Sequence, residues 1–189
     1  MSAPALGILT ISGSLRARSS NTELLRALAL LAPPPTRVTL YDGLAGIPPF
    51  NPDLDEEGAA PPPPVHALRT LVAAADGVVI CSPEYAHGVA GAMKNALDWL
   101  VSFPALADKP VALLNASARS TIAHAALGET LRTMSTGWLT EASVTVPLDG
   151  RRLDAAQIAA DPALAAILRE ALATIETAAR AHHAAQRRG

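Results

Sequence analysis

The sequence predicts an α/β fold in which a parallel sheet lies between two layers of helices. Short apolar runs alternate along the chain with segments whose apolar residues recur at helical spacing, and most of the connections are short. Half of the residues are hydrophobic but only 3% are aromatic, so the predicted core is aliphatic. The 189 residues are enough for one domain of this kind.

The elements follow from these patterns in chain order. The predicted strands are Leu6–Ile11, Arg37–Leu40, Asp76–Cys81, Val111–Asn115 and Trp138–Val146, the last of them broken around Thr140 and Glu141. The predicted helices are Asn21–Leu31, Val65–Ala75, Ala92–Val101, Ser120–Met134 and Leu164–Ala181. Tyr41–Ala60 is expected to be a long loop, and Arg151–Asp161 a loop or a helical turn.

Right-handed crossovers between parallel strands restrict how these elements connect. They favour a flavodoxin-like three-layer sandwich, with a five-stranded parallel sheet in the order 2-1-3-4-5 and helices on both faces. We expect residues 1–181 to form a single domain and residues 182–189 to be a flexible tail.

Composition excludes several classes of function. A net charge of −2 argues against a protein that binds nucleic acid by neutralising phosphates. No run approaches the roughly 20 apolar residues of a membrane span, and the N-terminus lacks the pattern of a secretion signal. The only cysteine, Cys81, cannot form an internal disulfide, and the histidines lack metal-ligand spacing. These features together predict a cytoplasmic protein that needs no metal and does not bind membranes.

The loop after the first predicted strand has the composition of a phosphate site. Gly13 permits a sharp turn, the serines offer hydroxyl donors, and Arg16 offers a planar fork for phosphate oxygens. Ser20 or Asn21 can cap the following helix, whose first N–H groups would then face the anion. A Ser-rich turn with an ordinary helix cap remains the alternative. Neither a Rossmann nor a Walker motif is present in this loop.

The loop after the third predicted strand has the composition of a site for a flat ring. Pro83 fixes the chain as it leaves the strand, and Tyr85 can stack against an aromatic ligand. Gly88 allows the backbone to approach that ligand closely. His87 can contact the ligand or be solvated, and Glu84 can act as an acid or base or can cap or pair locally. We favour solvation for His87 and the local capping or pairing role for Glu84.

Taken together, the two loops resemble the NADPH-dependent FMN reductase family, which includes bacterial quinone and chromate reductases. The first signature is Gly13-Ser14-Leu15-Arg16 with Ser19 and Asn21. The second is Pro83-Glu84-Tyr85 followed by Lys94-Asn95-Ala96-Leu97-Asp98-Trp99. The segment Ile47–Leu54 is similar to the family's loop after the second strand.

The resemblance implies bound FMN and a homodimer or homotetramer. By position, it assigns the FMN phosphate to Ser14, Arg16, Ser19 and Asn21, with Thr22 beside them. It assigns the isoalloxazine to Pro83, Glu84 and Tyr85, with His87 and Gly88 in the same loop and Ser117 on the other side.

The chain also departs from the family pattern. Ala86 and Ala90 stand where many members have Asn and Pro, and the loop 115–120 contains no glycine. Relative to the family pattern, these departures remove a polar side chain, a residue that makes the turn rigid, and a glycine that would allow a close backbone approach to the flavin.

The function implied is an FMN-dependent NAD(P)H oxidoreductase. Hydride would pass from NADPH or NADH to FMN N5 and then to a quinone, free flavin or similar small-molecule acceptor, by a ping-pong mechanism with no catalytic side chain. Arg18 and Arg119 are candidates for contacting a 2′-phosphate. The alternatives are a flavodoxin-type electron carrier and a flavin-binding module without turnover.

Overall fold

The sheet has the predicted order and direction. A computed structural model describes residues 5–148 and 150–186. The strands are β1 (Gly7–Ser12), β2 (Arg37–Tyr41), β3 (Gly77–Cys81), β4 (Glu84–Tyr85), β5 (Gly88–Val89), β6 (Pro110–Asn115), β7 (Gly137–Trp138) and β8 (Val144–Thr145). The main sheet runs β2-β1-β3-β6-β7 with β8 also paired to β6, and every pairing in it is parallel. The remaining two strands, β4 and β5, form a separate antiparallel hairpin.

The fifth strand position is split, as the sequence predicted around Thr140 and Glu141. β7 pairs with the start of β6 and β8 with its end, so the two short strands occupy one edge position in turn. Ser143 lies in the break, where its Oγ accepts a hydrogen bond from Leu113 N at 3.0 Å and donates one to Leu139 O at 2.7 Å. A hydroxyl therefore replaces the interrupted backbone ladder, and the sheet counts six strands instead of the five predicted.

Helices cover both faces of the sheet. They are α1 (Ser20–Leu31), α2 (Pro63–Ala74), α3 (Gly91–Asp98), α4 (Thr121–Thr133), α5 (Ala155–Ala160) and α6 (Pro162–Gln186). Buried residues of α2, α3 and α4 pack with one set of strand side chains, and those of α1, α5 and α6 pack with the other. Alternate residues along each strand pack into one or the other of these two groups of buried side chains, because successive side chains of a strand point to opposite faces.

The segment 41–60, predicted as a loop, includes two short 3₁₀-helices, Leu44–Gly46 and Pro52–Leu54. It is held against α3 by the indole of Trp99, whose Nε1 donates to Pro48 O at 2.8 Å. The ring of Phe50 meets the Trp99 ring edge to face at a centroid distance of 5.0 Å. The loop is therefore packed onto the domain by specific contacts.

The C-terminal part of the chain is more helical than predicted. Helix α5, of six residues, forms where a loop or a helical turn was expected, and it begins with a capping box in which Asp154 and Gln157 bond each other's backbone N–H. Helix α6 continues to Gln186, so the expected tail is helical at residues 182–186. Residues 187–189 lie outside the described residues. His183 Nε2 lies 2.6 Å from Asp76 Oδ1, which ties the end of this helix to the start of β3.

Candidate functional site

A cavity of about 490 Å³ opens at the carboxyl ends of the central strands. In an open parallel sheet this is the edge at which ligands bind. Residues from both predicted loops and from the segment before α5 line it. They are Ser14, Arg16, Arg18, Ser19, Ser20, Asn21, Glu23, Pro83, Tyr85, Gly150, Arg152, Leu153 and Asp154.

The two loops start side by side because β1 and β3 are neighbours. Gly13 N donates to Cys81 O at 2.8 Å as the chain leaves β1. A Cβ atom at Gly13 would lie 2.3 Å from Ser82 Oγ and 2.7 Å from Ser82 Cβ. Only glycine fits this close approach, which brings the first loop against the second.

The first loop is ordered by its own hydroxyls. Ser19 is the N-cap of α1, and its Oγ accepts from Thr22 N at 3.4 Å. Beneath the loop, the hydroxyls of Ser12 and Thr22 are 2.8 Å apart, and Ser12 Oγ accepts from Ser14 N at 3.3 Å. The cap predicted for Ser20 or Asn21 is thus made by Ser19. The N-terminus of α1 faces the cavity, with its partial positive charge available to an anion.

The second loop is a hairpin that the sequence did not predict. Glu84 pairs with Val89 and Tyr85 with Gly88, which leaves Ala86 and His87 as a two-residue turn. Both turn residues have positive φ angles, 49° and 57°, as in a type I′ turn. This conformation favours Asn and Gly, so Ala86 is disfavoured by its backbone geometry. Tyr85 is 53% exposed at the mouth of the cavity.

The carboxylate of Glu84 joins this hairpin to α4. Its Oε2 accepts from Ala123 N at 2.9 Å, and its Oε1 lies 3.2 Å from His87 Nδ1. Within the described chain, Ser120 at the N-cap of α4 makes no capping bond with its own side chain, so Glu84 performs that function from another loop. The Ala123 N–H, followed by the His87 contact, holds the pKa of Glu84 below its ordinary value. Glu84 therefore pairs locally with His87, as the sequence favoured, but the helix that it caps is distant in sequence.

The third loop is organised around the buried amide of Asn115. Its Nδ2 donates to Ser120 O at 3.2 Å and to Thr145 Oγ1 at 3.3 Å, and its Oδ1 accepts from Ser117 N at 3.1 Å. Ser117 Oγ in turn accepts from Arg119 N at 3.3 Å. Neither Ser117 nor Arg119 lines the cavity.

The segment 150–154 forms a wall of the cavity that sequence reasoning missed. It is held to α1 by Glu23, whose Oε2 accepts from Ala155 N at 2.9 Å. The signal that could have found it is Asp154-Ala155-Ala156-Gln157, a helix-start pattern of a capping residue followed three positions later by Gln. The wall brings Arg152 to the same cavity as Arg16 and Arg18, so three guanidinium groups line it together with the carboxylates of Glu23 and Asp154. Each of these carboxylates accepts a hydrogen bond from a backbone N–H of α5, which leaves the arginines as the groups available to an anion.

The structure brings together only part of the predicted site. Six of the predicted residues line the cavity, namely Ser14, Arg16, Ser19, Asn21, Pro83 and Tyr85. Five lie outside its lining, namely Thr22, Glu84, His87, Gly88 and Ser117. His87 is exposed at the hairpin turn. Within residues 5–148 and 150–186, no cluster of three or more His, Cys, Asp or Glu side chains could hold a metal. No helix in the same ranges could cross a membrane.

Comparison with known proteins identifies the family. The family model for NADPH-dependent FMN reductases matches residues 6–148, which include all three loops. The chain belongs to this family. The resemblance that the two signatures indicated is therefore confirmed.

Two relatives agree with this assignment. A quinone reductase of Escherichia coli K12 is 40% identical over 114 residues, covering 59% of this chain and 60% of its own length. An NAD(P)H-dependent FMN reductase of Pseudomonas aeruginosa is 41% identical over 113 residues, with the same two coverages. The chain thus spans about 60% of the length of these curated relatives.

A solved structure confirms the fold. FerB, a flavoenzyme NAD(P)H:(acceptor) oxidoreductase from Paracoccus denitrificans, superposes with a TM-score of 0.70 at 21% identity. The superposition covers 93% of this chain and 98% of that one. The flavodoxin-like sandwich predicted from the sequence is therefore correct.

Proposed function

We propose that this chain is an FMN-dependent NAD(P)H oxidoreductase acting on quinones, free flavins or similar small acceptors. The observation that carries the proposal is the single cavity that joins the first loop, with Ser14, Ser19 and Asn21, to Pro83 and Tyr85 of the second. This pairing places hydrogen-bond donors for an anion and an aromatic side chain at one opening, as a flavin mononucleotide requires. The family match and the names of the relatives support the same activity.

The residues present fit FMN on chemical grounds. The backbone at Gly13 packs against Ser82 with no room for a side chain, so the two loops lie close together where they leave the sheet. No acidic residue precedes Glu23 in the chain, so the first loop carries no negative side chain. The cavity volume of about 490 Å³ lies within the range of roughly 300–1,000 Å³ typical of small-molecule sites. The loop therefore offers donors, positive charge and space, which is what a phosphate needs.

In the proposed complex, Ser14, Arg16, Ser19 and Asn21 hold the phosphate, with the N-terminus of α1 adding its dipole. Pro83 and Tyr85 border the isoalloxazine, and Glu84 holds their hairpin in place through α4. FMN when bound supplies the hydride-accepting and electron-donating chemistry. We propose no catalytic acid or base among the side chains.

We further propose that the working form is a homodimer or homotetramer. Leu54 and Val101 are exposed apolar side chains, 47% and 63% accessible. They adjoin Asp55 and Ser102, which bond each other at 2.5 Å, so they lie on neighbouring segments of one surface. Exposed apolar side chains grouped in this way favour self-association. Light scattering tests this proposal. The cytoplasmic location and the lack of a nucleic-acid partner remain predictions from the sequence.

An absorption spectrum of the purified protein tests the main proposal. We expect a flavin spectrum after incubation with FMN and gel filtration, and its bleaching when NADPH is added without oxygen. Steady-state oxidation of NADPH with a quinone should then follow, with parallel double-reciprocal lines. Flavin binding without NADPH oxidation would instead support an electron carrier or a non-catalytic module. Failure to retain FMN or to quench its fluorescence would contradict the proposal.

A further inference from the structure

The buried thiol of Cys81 contacts two of the three loops at the carboxyl edge of the sheet. Cys81 is the last residue of β3 and is fully buried. Its Sγ donates to Asn21 Oδ1 at 3.1 Å, and the backbone N–H of Ala116 is directed at the sulfur. One side chain therefore connects the first loop to the third, beneath the cavity.

The hydrogen bond to Asn21 gives the direction of the thiol hydrogen. The Cys81 S–H points at the amide oxygen of Asn21, because that oxygen can accept a hydrogen bond whereas the amide nitrogen can only donate. Burial raises the pKa of Cys81, so the hydrogen stays on the sulfur and the thiol remains a donor. Cys81 consequently binds the oxygen end of the Asn21 amide.

An amide whose oxygen is held in this way must present its nitrogen elsewhere. Asn21 lines the cavity. Within the described residues, no protein group accepts a hydrogen bond from Asn21 Nδ2. The orientation matters because a phosphate accepts hydrogen bonds and repels a carbonyl oxygen, whereas Nδ2 offers two donors. A flipped Asn21 would present the wrong atom to an anion.

We propose that Cys81 is a positioning residue that orients the Asn21 amide so that Nδ2 faces the phosphate of the bound mononucleotide. This rests on the proposed function, since it assumes that FMN occupies the cavity. The thiol itself does not touch the ligand, and its role is to select one of the two orientations of Asn21.

The test compares the dissociation constants of FMN and riboflavin, which differ by the phosphate, using quenching of flavin fluorescence by the full-length protein. We expect Cys81→Ala to weaken FMN binding about three- to tenfold while leaving riboflavin binding unchanged, as the loss of one hydrogen bond implies. Cys81→Ser should retain the preference for FMN, because a hydroxyl can donate to Asn21 and accept from Ala116. Cys81→Val, which fills the space without a donor, replaces the alanine variant if that variant does not fold.

Two controls separate positioning from a general loss of stability. Val79→Ala removes apolar volume from the same face of β3 without a hydrogen bond to Asn21, so it should lower stability and leave the FMN-to-riboflavin ratio unchanged. In an Asn21→Ala background, Cys81→Ala should have no further effect on the ratio.

The inference is wrong if the wild type prefers FMN and the donor-free variants keep that preference. It is equally wrong if Cys81→Ala and Asn21→Ala change the ratio of the FMN and riboflavin dissociation constants independently, so that the double variant shows the product of the two single effects. A wild type that binds neither flavin would instead overturn the proposed function, and this inference with it.

Discussion

Glu84 Oε2 accepts a hydrogen bond from Ala123 N at 2.9 Å, across 39 residues of sequence. This bond fastens the hairpin that carries Tyr85 to the N-terminus of α4. It converts a turn between two short strands into a supported wall of the cavity. The carboxylate is thus a structural part of the site, and its protonation should be visible in stability.

Glu84→Gln should remove a pH-dependent part of the stability. The pKa of Glu84 is lowered in the folded protein from its ordinary value of 4.5, chiefly by the Ala123 N–H. A lowered pKa means that the stabilisation is fully present above pH 4.5 and is lost as the pH falls through the folded value. Urea unfolding at several pH values should show that the free energies of unfolding of wild type and variant differ by a constant amount above pH 4.5, and that this difference becomes smaller below it.

Glu129→Gln is the matched control for this experiment, because Glu129 lies on the exposed surface of α4 and, among the described residues, its carboxylate pairs with Arg132 alone. It should change the free energy of unfolding by less than about 0.5 kcal/mol. The assigned role would be contradicted if the difference in free energy of unfolding between wild type and Glu84→Gln stayed constant through the acid range.

Gly13→Ala should destabilise the fold and weaken FMN binding together. The added Cβ would lie 2.7 Å from Ser82 Cβ and 3.1 Å from Ser82 Cα, so rotation of the serine hydroxyl cannot relieve the contact. Such overpacking costs about 1–3 kcal/mol. Thermal unfolding and an FMN titration measure the two effects.

Gly46→Ala controls for the loss of a glycine, because a Cβ there would meet nothing within 4 Å. It should change stability by no more than about 0.5 kcal/mol. Adding Ser82→Gly to Gly13→Ala should restore part of the lost stability, and the absence of any recovery would show that the strain lies elsewhere.

Ala86→Gly should stabilise the protein. Ala86 has a φ of 49°, in the left-handed region that costs an L-residue roughly 1–2 kcal/mol. Glycine removes this cost but loses backbone entropy, so we expect a net gain of about 0.5–1 kcal/mol. The same substitution at Ala173, an exposed position inside α6, should destabilise by about 1 kcal/mol. Equal effects at the two sites, measured by urea unfolding, would refute the turn assignment.

Arg18→Ser should discriminate against NADPH if Arg18 contacts the 2′-phosphate. Arg18 lines the cavity whereas Arg119, the other candidate, does not. We therefore expect kcat/KM for NADPH to fall about three- to tenfold in Arg18→Ser, with NADH unaffected. Arg119→Ser should leave both values unchanged. A loss with Arg119→Ser alone would reverse the assignment.

Local patterns in the sequence determined most of the fold. The buried strands β1 and β3 and the helices between them are encoded by the spacing of apolar residues, which follows from burial on one face or two. The first two loops could be placed at the ligand-binding edge because each directly follows a buried strand, and their composition indicated a phosphate and a ring.

Tertiary structure alone decided which groups meet at that edge. The partner of Glu84 lies 39 residues away, that of Cys81 is 60 residues away, and Glu23 reaches the start of α5 across 132 residues. No local pattern specifies such pairs, because each depends on the register of parallel strands and on where the helices pack. The positive φ angles at Ala86 and His87 likewise oppose local preference and result from pairing of the two hairpin strands. Periodicity records which face of an element is buried, whereas the identity of its neighbour is set only when the whole chain has folded.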